Sequence, residues 1–180
     1  MGKPEKDAHL NEGDIIGIDC GYYQQLAIYA GKKQVIWYCV NPEPERLRRG
    51  VIITELELFL GEEDQFYSCD FTKLEKLAKQ SVENRNDVSI DHLLQPIISF
   101  TMQHNNSEIS YVLQDKECYF YTAEETLERA LEKVEEVYLG NSVLEELGHA
   151  VQFPIWCKMG IKTPWKIAII MKTLRAEWKL

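Results

Sequence analysis

Histidine is scarce in this chain. Four occur in 180 residues, at His9, His92, His104 and His149, and none stands beside a pair of cysteines. A zinc site draws its ligands from close-set cysteines and histidines, so neither a metal nor another cofactor is expected. Cysteines are few and odd in number: Cys20, Cys39, Cys69, Cys118 and Cys157, with no Cys-x-x-Cys pair. That usage fits reduced thiols rather than a disulfide framework. No secretory leader opens the sequence, and residues 3–7 lack the Ser or Thr of a myristoylation signal, so a cytoplasmic setting is expected. Apolar runs are short. The longest late one, residues 167–171, falls far below the ~18 residues of a membrane span. Positive charge is in deficit, with 20 Lys and Arg against 29 Asp and Glu and a net charge of −9. Non-specific nucleic-acid binding needs a cationic face, so no nucleic-acid partner is expected.

Apolar residues make up 45% of the chain and charged residues 27%, a globular balance, and 180 residues suffice for one domain with a real core. Residues 1–12 are polar and read as a loose arm. Stretches 14–19, 25–30 and 33–40 are rich in Ile, Val, Tyr and Trp and predict three strands, with a hairpin turn at Gly31-Lys32. Two prolines and a charge cluster make 41–50 a loop. Residues 51–60 predict a fourth strand, on the alternation Thr54-Glu-Leu-Glu-Leu-Phe59. A capping box at Thr72 and Glu75 predicts a short helix over 72–80, followed by a loop over 81–89. Ser89 caps a further helix through His92, Leu93 and Leu94, interrupted at Pro96. Residues 109–113 and 118–121 read as a hairpin.

The strongest helical pattern covers 122–139. Thr122 and Glu125 form a capping box. Leu127, Ala130, Leu131, Val134 and Val137 make an apolar stripe, Glu128, Lys133, Glu135 and Glu136 face water, and Gly140 stops the helix. A helix within 150–158 ends at Gly160, and another runs from Pro164 to the C-terminus. The expected class is α+β: a small antiparallel sheet over 13–60, completed by strands near 109–121, packed on helices at about 122–139 and 150–160. Residues 13–162 form the domain, with an insertion at about 61–118, and 163–180 form a C-terminal helix.

Three stretches carry a resemblance. Gly13-Asp14-Ile15-Ile16, Tyr23-Gln-Gln-Leu-Ala-Ile-Tyr-Ala-Gly31 and Ala150-Val-Gln-Phe-Pro-Ile-Trp-Cys-Lys-Met-Gly160 occur in that order, with Glu128-Arg129-Ala130 on the helix between. They resemble the lecithin retinol acyltransferase-like family, which includes the H-Ras-like suppressor phospholipase/acyltransferases. That family has the permuted papain-like fold of the NlpC/P60 group. Its strand motif reads Tyr-Arg-His-Trp-Ala-Ile-Tyr-Val-Gly, and its helix motif opens Cys-Glu-His-Phe. The likeness covers roughly 13–60 and 120–162 and leaves the middle without a counterpart.

The resemblance implies a thiolate at a helix N-terminus, a strand histidine as base and a second histidine that orients it. Those positions fall on Ala150, Gln25 and Trp37 here. A methyl group cannot attack an ester, and an uncharged amide cannot take its proton. Val151 and Gln152 stand where the motif has Glu and His. The packing positions Ala27, Ile28, Tyr29, Phe153, Trp156 and Gly160 are retained. The implied function is a catalytically inactive domain kept as a protein-interaction or scaffold module. Two alternatives stand beside it. One is a lipid or small-molecule binder using the former acyl groove. The other is an acyltransferase or phospholipase with displaced machinery, such as Cys20 as nucleophile and His149 as base. Cys157 reads as a buried small hydrophobe. Leu93, Leu94, Ile97, Ile98, Phe100 and Met102 form the candidate interaction segment, for a protein partner or for self-association. Lys158, Lys162, Lys166, Lys172 and Arg175 tilt the last third basic, which reads as a solvated face or as a weak contact with an anionic membrane or an acidic partner.

Overall fold

The computed structural model describes residues 9–21, 23–39, 50–63, 65–86, 107–138 and 150–177. Successive runs of β-branched and aromatic residues favour extended backbone over helix, and they form the sheet. β1 (Ile15–Asp19), β2 (Gln24–Gly31), β3 (Gln34–Cys39) and β4 (Gly50–Glu55) pair antiparallel in chain order. β5 (Tyr67–Ser68) joins the other side of β1, so the described order is β4-β3-β2-β1-β5. The turn between β2 and β3 is Lys32-Lys33, one residue later than predicted, with both at positive φ (50° and 61°). A two-residue turn needs that conformation to match the twist of its strands.

Both faces of the sheet are covered, which is why its strands read as nearly continuous apolar runs. On one face Leu26, Ile28, Ile36 and Tyr38 meet Phe153, Ile155, Ile170 and Leu174. On the other, Ile16, Ala27, Tyr29, Val35 and Trp37 meet Leu56, Phe59 and Leu60. The second set is α1 (Leu56–Leu60), where a continued strand was predicted. The Thr54–Phe59 alternation was a poor guide, because the buried residues Leu56, Phe59 and Leu60 have helical spacing while Leu58 is 46% exposed. Backbone turns into the helix where Leu56 N–H donates to Lys33 C=O.

The remaining helices are α2 (Thr72–Asn86), α3 (Ser107–Leu113), α4 (Ala123–Tyr138), α5 (Gln152–Met159) and α6 (Pro164–Glu177). α2 runs past Gln80 through part of the predicted loop. A carboxylate of Asp70, rather than the Thr72–Glu75 box, accepts the Thr72 N–H at 2.9 Å. α3 replaces the first strand of the predicted hairpin at 109–121. Ile109, Val112 and Leu113 are buried and Tyr111 is exposed, again a helical spacing. Residues 118–121 run outside the sheet: Tyr119 and Tyr121 donate their N–H groups to Met159 C=O and Lys158 C=O. The sheet is completed by Tyr67–Ser68 instead.

The predicted capping box on α4 is formed both ways, Thr122 N–H to Glu125 Oε2 at 2.8 Å and Glu125 N–H to Thr122 Oγ1 at 3.2 Å. Its buried stripe is Thr126, Ala130 and Val134, while Leu131 is 42% exposed. Lys133 does not face water: it lies over the Trp156 ring and pairs with Glu136 at 2.8 Å. The stretch expected to be an insertion shares the main core, since Leu74, Ile109 and Val112 pack in the same cluster as Phe153. Of the predicted loop at 41–50, Gly50 opens β4, while residues 41–49, the helix through His92, the stop at Gly140 and His149 lie outside the described residues. So does the candidate interaction segment Leu93, Leu94, Ile97, Ile98, Phe100 and Met102.

Gly13 and Gly21 separate two costs of adding a side chain. Both have positive φ (89° and 84°). A Cβ on Gly13 would stand 2.1 Å from the Ala123 carbonyl oxygen, whereas one on Gly21 would meet nothing within 4 Å. Gly21→Ala should lose about 1–2 kcal/mol from the backbone term alone. Gly13→Ala adds an overpacking term of about 1–3 kcal/mol. Urea denaturation of both variants checks this ordering.

Candidate functional site

The strand and helix that carry the resemblance meet at one backbone hydrogen bond. β2 and β3 remain paired as far as Ala27 and Trp37. Leu26 N–H then donates to Ala150 C=O at 3.2 Å. The start of α5 is therefore held against β2 where β3 diverges. Gln25, the next residue, is 7% exposed and donates Nε2–H to Tyr38 C=O at 3.1 Å, bridging the diverging strands. Gln25 and Ala150 thus flank the same point.

Trp37 does not join them. Its indole N–H donates to Thr54 Oγ1 at 2.9 Å, and its ring meets Phe59 edge-on with centroids 5.4 Å apart. Thr54 stands across from Val35, so the indole leans along the sheet away from Tyr38 and Gln25. Of the three positions inferred from the resemblance, two are brought together and the third points elsewhere. Trp37 packs as a core aromatic.

The N-terminus of α5 has the features that lower a thiol pKa, without a thiol. Val151 at the cap makes no side-chain capping bond, and Pro154 in the first turn has no N–H to satisfy. Gln152 is 4% exposed and donates Nε2–H to Lys162 C=O at 2.6 Å. A sulfur anion at such an end is favoured by the helix dipole. Ala150 offers only a methyl group.

The five thiols are all held in their neutral form. Burial pushes Cys69 up to about 12 and Cys118 up to about 11. It raises Cys39 and Cys157 too, the latter against a smaller opposing pull from Arg129 and Lys133. Cys20, the nucleophile of the displaced-machinery alternative, is half-buried and raised chiefly by burial, against a hydrogen bond with Tyr23. Catalytic cysteines need the opposite shift.

The basic tilt of the last third divides on folding. Lys158 Nζ donates to Tyr121 C=O at 2.7 Å, and Lys166 pairs with Asp115. Lys162, Lys172 and Arg175 remain exposed. No described helix is long and apolar enough to cross a membrane. Lys158 also lines a groove of about 750 Å³ between α2, residues 118–123 and the end of α5. Sequence reasoning missed this groove, because its walls come from three separated stretches with no shared motif.

Comparison of the chain with protein-family models, with curated proteins and with solved structures finds no match.

The raised thiols give a pH dependence with a definite sign. An unfolded cysteine releases its proton near 8.5. Between that pH and about 11 the unfolded chain has lost protons that folded Cys69 and Cys118 keep, so stability should fall as pH rises through this window. Urea midpoints at pH 8 and pH 10 should show a smaller drop for Cys118→Ser than for the parent.

Proposed function

We propose that this chain is a lecithin retinol acyltransferase-like domain, of permuted papain-like architecture, that has lost thiol catalysis and serves as a protein-interaction module. The contact between Leu26 N–H and Ala150 C=O carries the reading. It sets a helix N-terminus against the second strand, the arrangement in which a thiol and an imidazole would meet. A methyl group and a buried amide occupy it. The raised thiols add support, since none is poised to replace the missing nucleophile. An exposed aromatic pair supports the interaction role. Tyr111 and Trp165 are 67% and 50% exposed and stack with centroids 6.2 Å apart. Tyr and Trp are enriched among residues that anchor protein interfaces.

Reactivity tests the lineage. In the double variant Gln25→His, Ala150→Cys, the introduced thiol should react with iodoacetamide at pH 7 at least about tenfold faster than any native cysteine, because the helix N-terminus and the imidazole both favour its thiolate. Equal rates would mean that this is not a former thiol site. The parent protein should form no hydroxylamine-sensitive acyl adduct with ester probes. Stoichiometric acylation of Cys20 or Cys157 would overturn the inactive assignment. A protein partner captured by cross-linking should be lost in Tyr111→Ser, Trp165→Ser at unchanged Tm.

A further inference from the structure

The groove beside Lys158 has walls of mixed character. Ala78 from α2, Leu113 from the end of α3, and Cys118 and Phe120 from the extended segment give it an apolar side. Lys79, Lys158 and Glu75 are its charged side chains. A volume of about 750 Å³ lies within the range that small organic ligands fill.

Lys158 is the unusual member. Its ammonium is partly withdrawn from water and lies 5.8 Å from the centre of the Phe71 ring. It gives one hydrogen bond to Tyr121 C=O and has three donors in all. Among the described residues no carboxylate lies within ion-pair distance of it, unlike Lys133 and Lys166, which pair with Glu136 and Asp115. Loss of hydration lowers its proton affinity, while Glu75, Asp14 and Glu125 raise it from further away. A partly desolvated cation with spare donors is a site for an anion.

The surrounding charges limit that anion. Lys79 and Lys158 stand against Glu75 on the lining and against Asp14 and Glu125 further off, so these charges together are net negative and repel a dianion more than a monoanion, which is held by its direct contact with Lys158. A carboxylate fits this balance better than a phosphate dianion. We propose that the groove binds a small amphipathic monocarboxylate, with its head on Lys158 and its apolar part against Ala78, Leu113 and Phe120. The site is separate from the Ala150 position. Six residues of α5, 152–157, lie between them, about 9 Å of helix. The proposal does not depend on the interaction-module reading.

Calorimetry on the full chain tests it, with dodecanoate, dodecanol and dodecyl phosphate as probes below their aggregation concentrations. Dodecanoate should bind saturably at one site, at least about tenfold tighter than dodecanol, the discrimination of a charge-assisted hydrogen bond, and tighter than dodecyl phosphate, whose second charge the surrounding carboxylates repel. Lys158→Met should remove the preference over dodecanol, weakening dodecanoate while leaving dodecanol unchanged. Phe120→Ser should weaken all three. Lys158 also supports residues 119–121, so Lys158→Arg serves as the variant that keeps the charge and should retain the preference. In the unaltered protein, dodecanoate should protect Cys118, but not Cys20, from maleimide, read by peptide mass mapping. Equal affinity for dodecanoate and dodecanol, non-saturable uptake, or no protection of Cys118 would each overturn the proposal.

Discussion

The carbonyl end of α5 is the point on which much of the described structure depends. A helix leaves its last four carbonyls without partners of its own, and burying them unpaired is costly. Here every one is met. Trp156 C=O accepts from Gly160 N–H and from Arg129 Nη2 at 3.1 Å. Cys157 C=O accepts from Arg129 Nε at 3.2 Å. Lys158 C=O and Met159 C=O accept from the N–H groups of Tyr121 and Tyr119. Arg129 is itself flanked by Tyr121 and Trp156, its guanidinium 4.0 and 3.9 Å from their ring centres. One cation from α4 and one extended segment thereby hold α5 end-on. That arrangement also builds the wall of the groove.

The sheet was legible because its residues serve both faces. Ile15, Ile16, Ile18, Leu26, Ile28, Val35 and Ile36 are all at most 3% exposed. No polar alternation was needed to recognise such strands, and their β-branched content excluded helix. Residues 54–60 and 109–113 were harder. Each is short enough for periods of 2 and 3.6 to fit the same apolar residues. In both, packing decided the outcome, placing Leu56 with Phe59 and Leu60, and Ile109 with Val112 and Leu113, on single helical faces.

The site was legible to the degree that motifs fix backbone. The strand and helix stretches located Gln25 and Ala150, and the Leu26–Ala150 bond joins those elements. Side-chain direction was not legible. Trp37 follows the partners available to it, Thr54 and Phe59, and those residues belong to a segment whose helix was read as strand. Arg129 was visible as part of a motif, but its role depends on carbonyls nearly thirty residues away. The destination of Lys158 was hidden for the same reason, since its ammonium donates to the Tyr121 carbonyl from across the chain.

The two ends of α5 therefore differ in what they can hold. Its N-terminus presents N–H groups without a side-chain cap and stabilises negative charge, yet the adjoining residue has no group to ionise. Its C-terminus concentrates carbonyl dipoles, which favour a cation, and Lys158 stands in that last turn. Glu75, Asp14 and Glu125 offset part of the hydration Lys158 loses, against the lowering that burial brings. Catalysis by a helix-terminal thiolate would have drawn on the first end. A retained cation beside an apolar groove draws on the second, and the helix length keeps the two apart. What stands at Ala150 leaves the electrostatics of the other end unchanged, because the carbonyl acceptors at the C-terminus are fixed by Arg129, Tyr119 and Tyr121 and not by anything at Ala150.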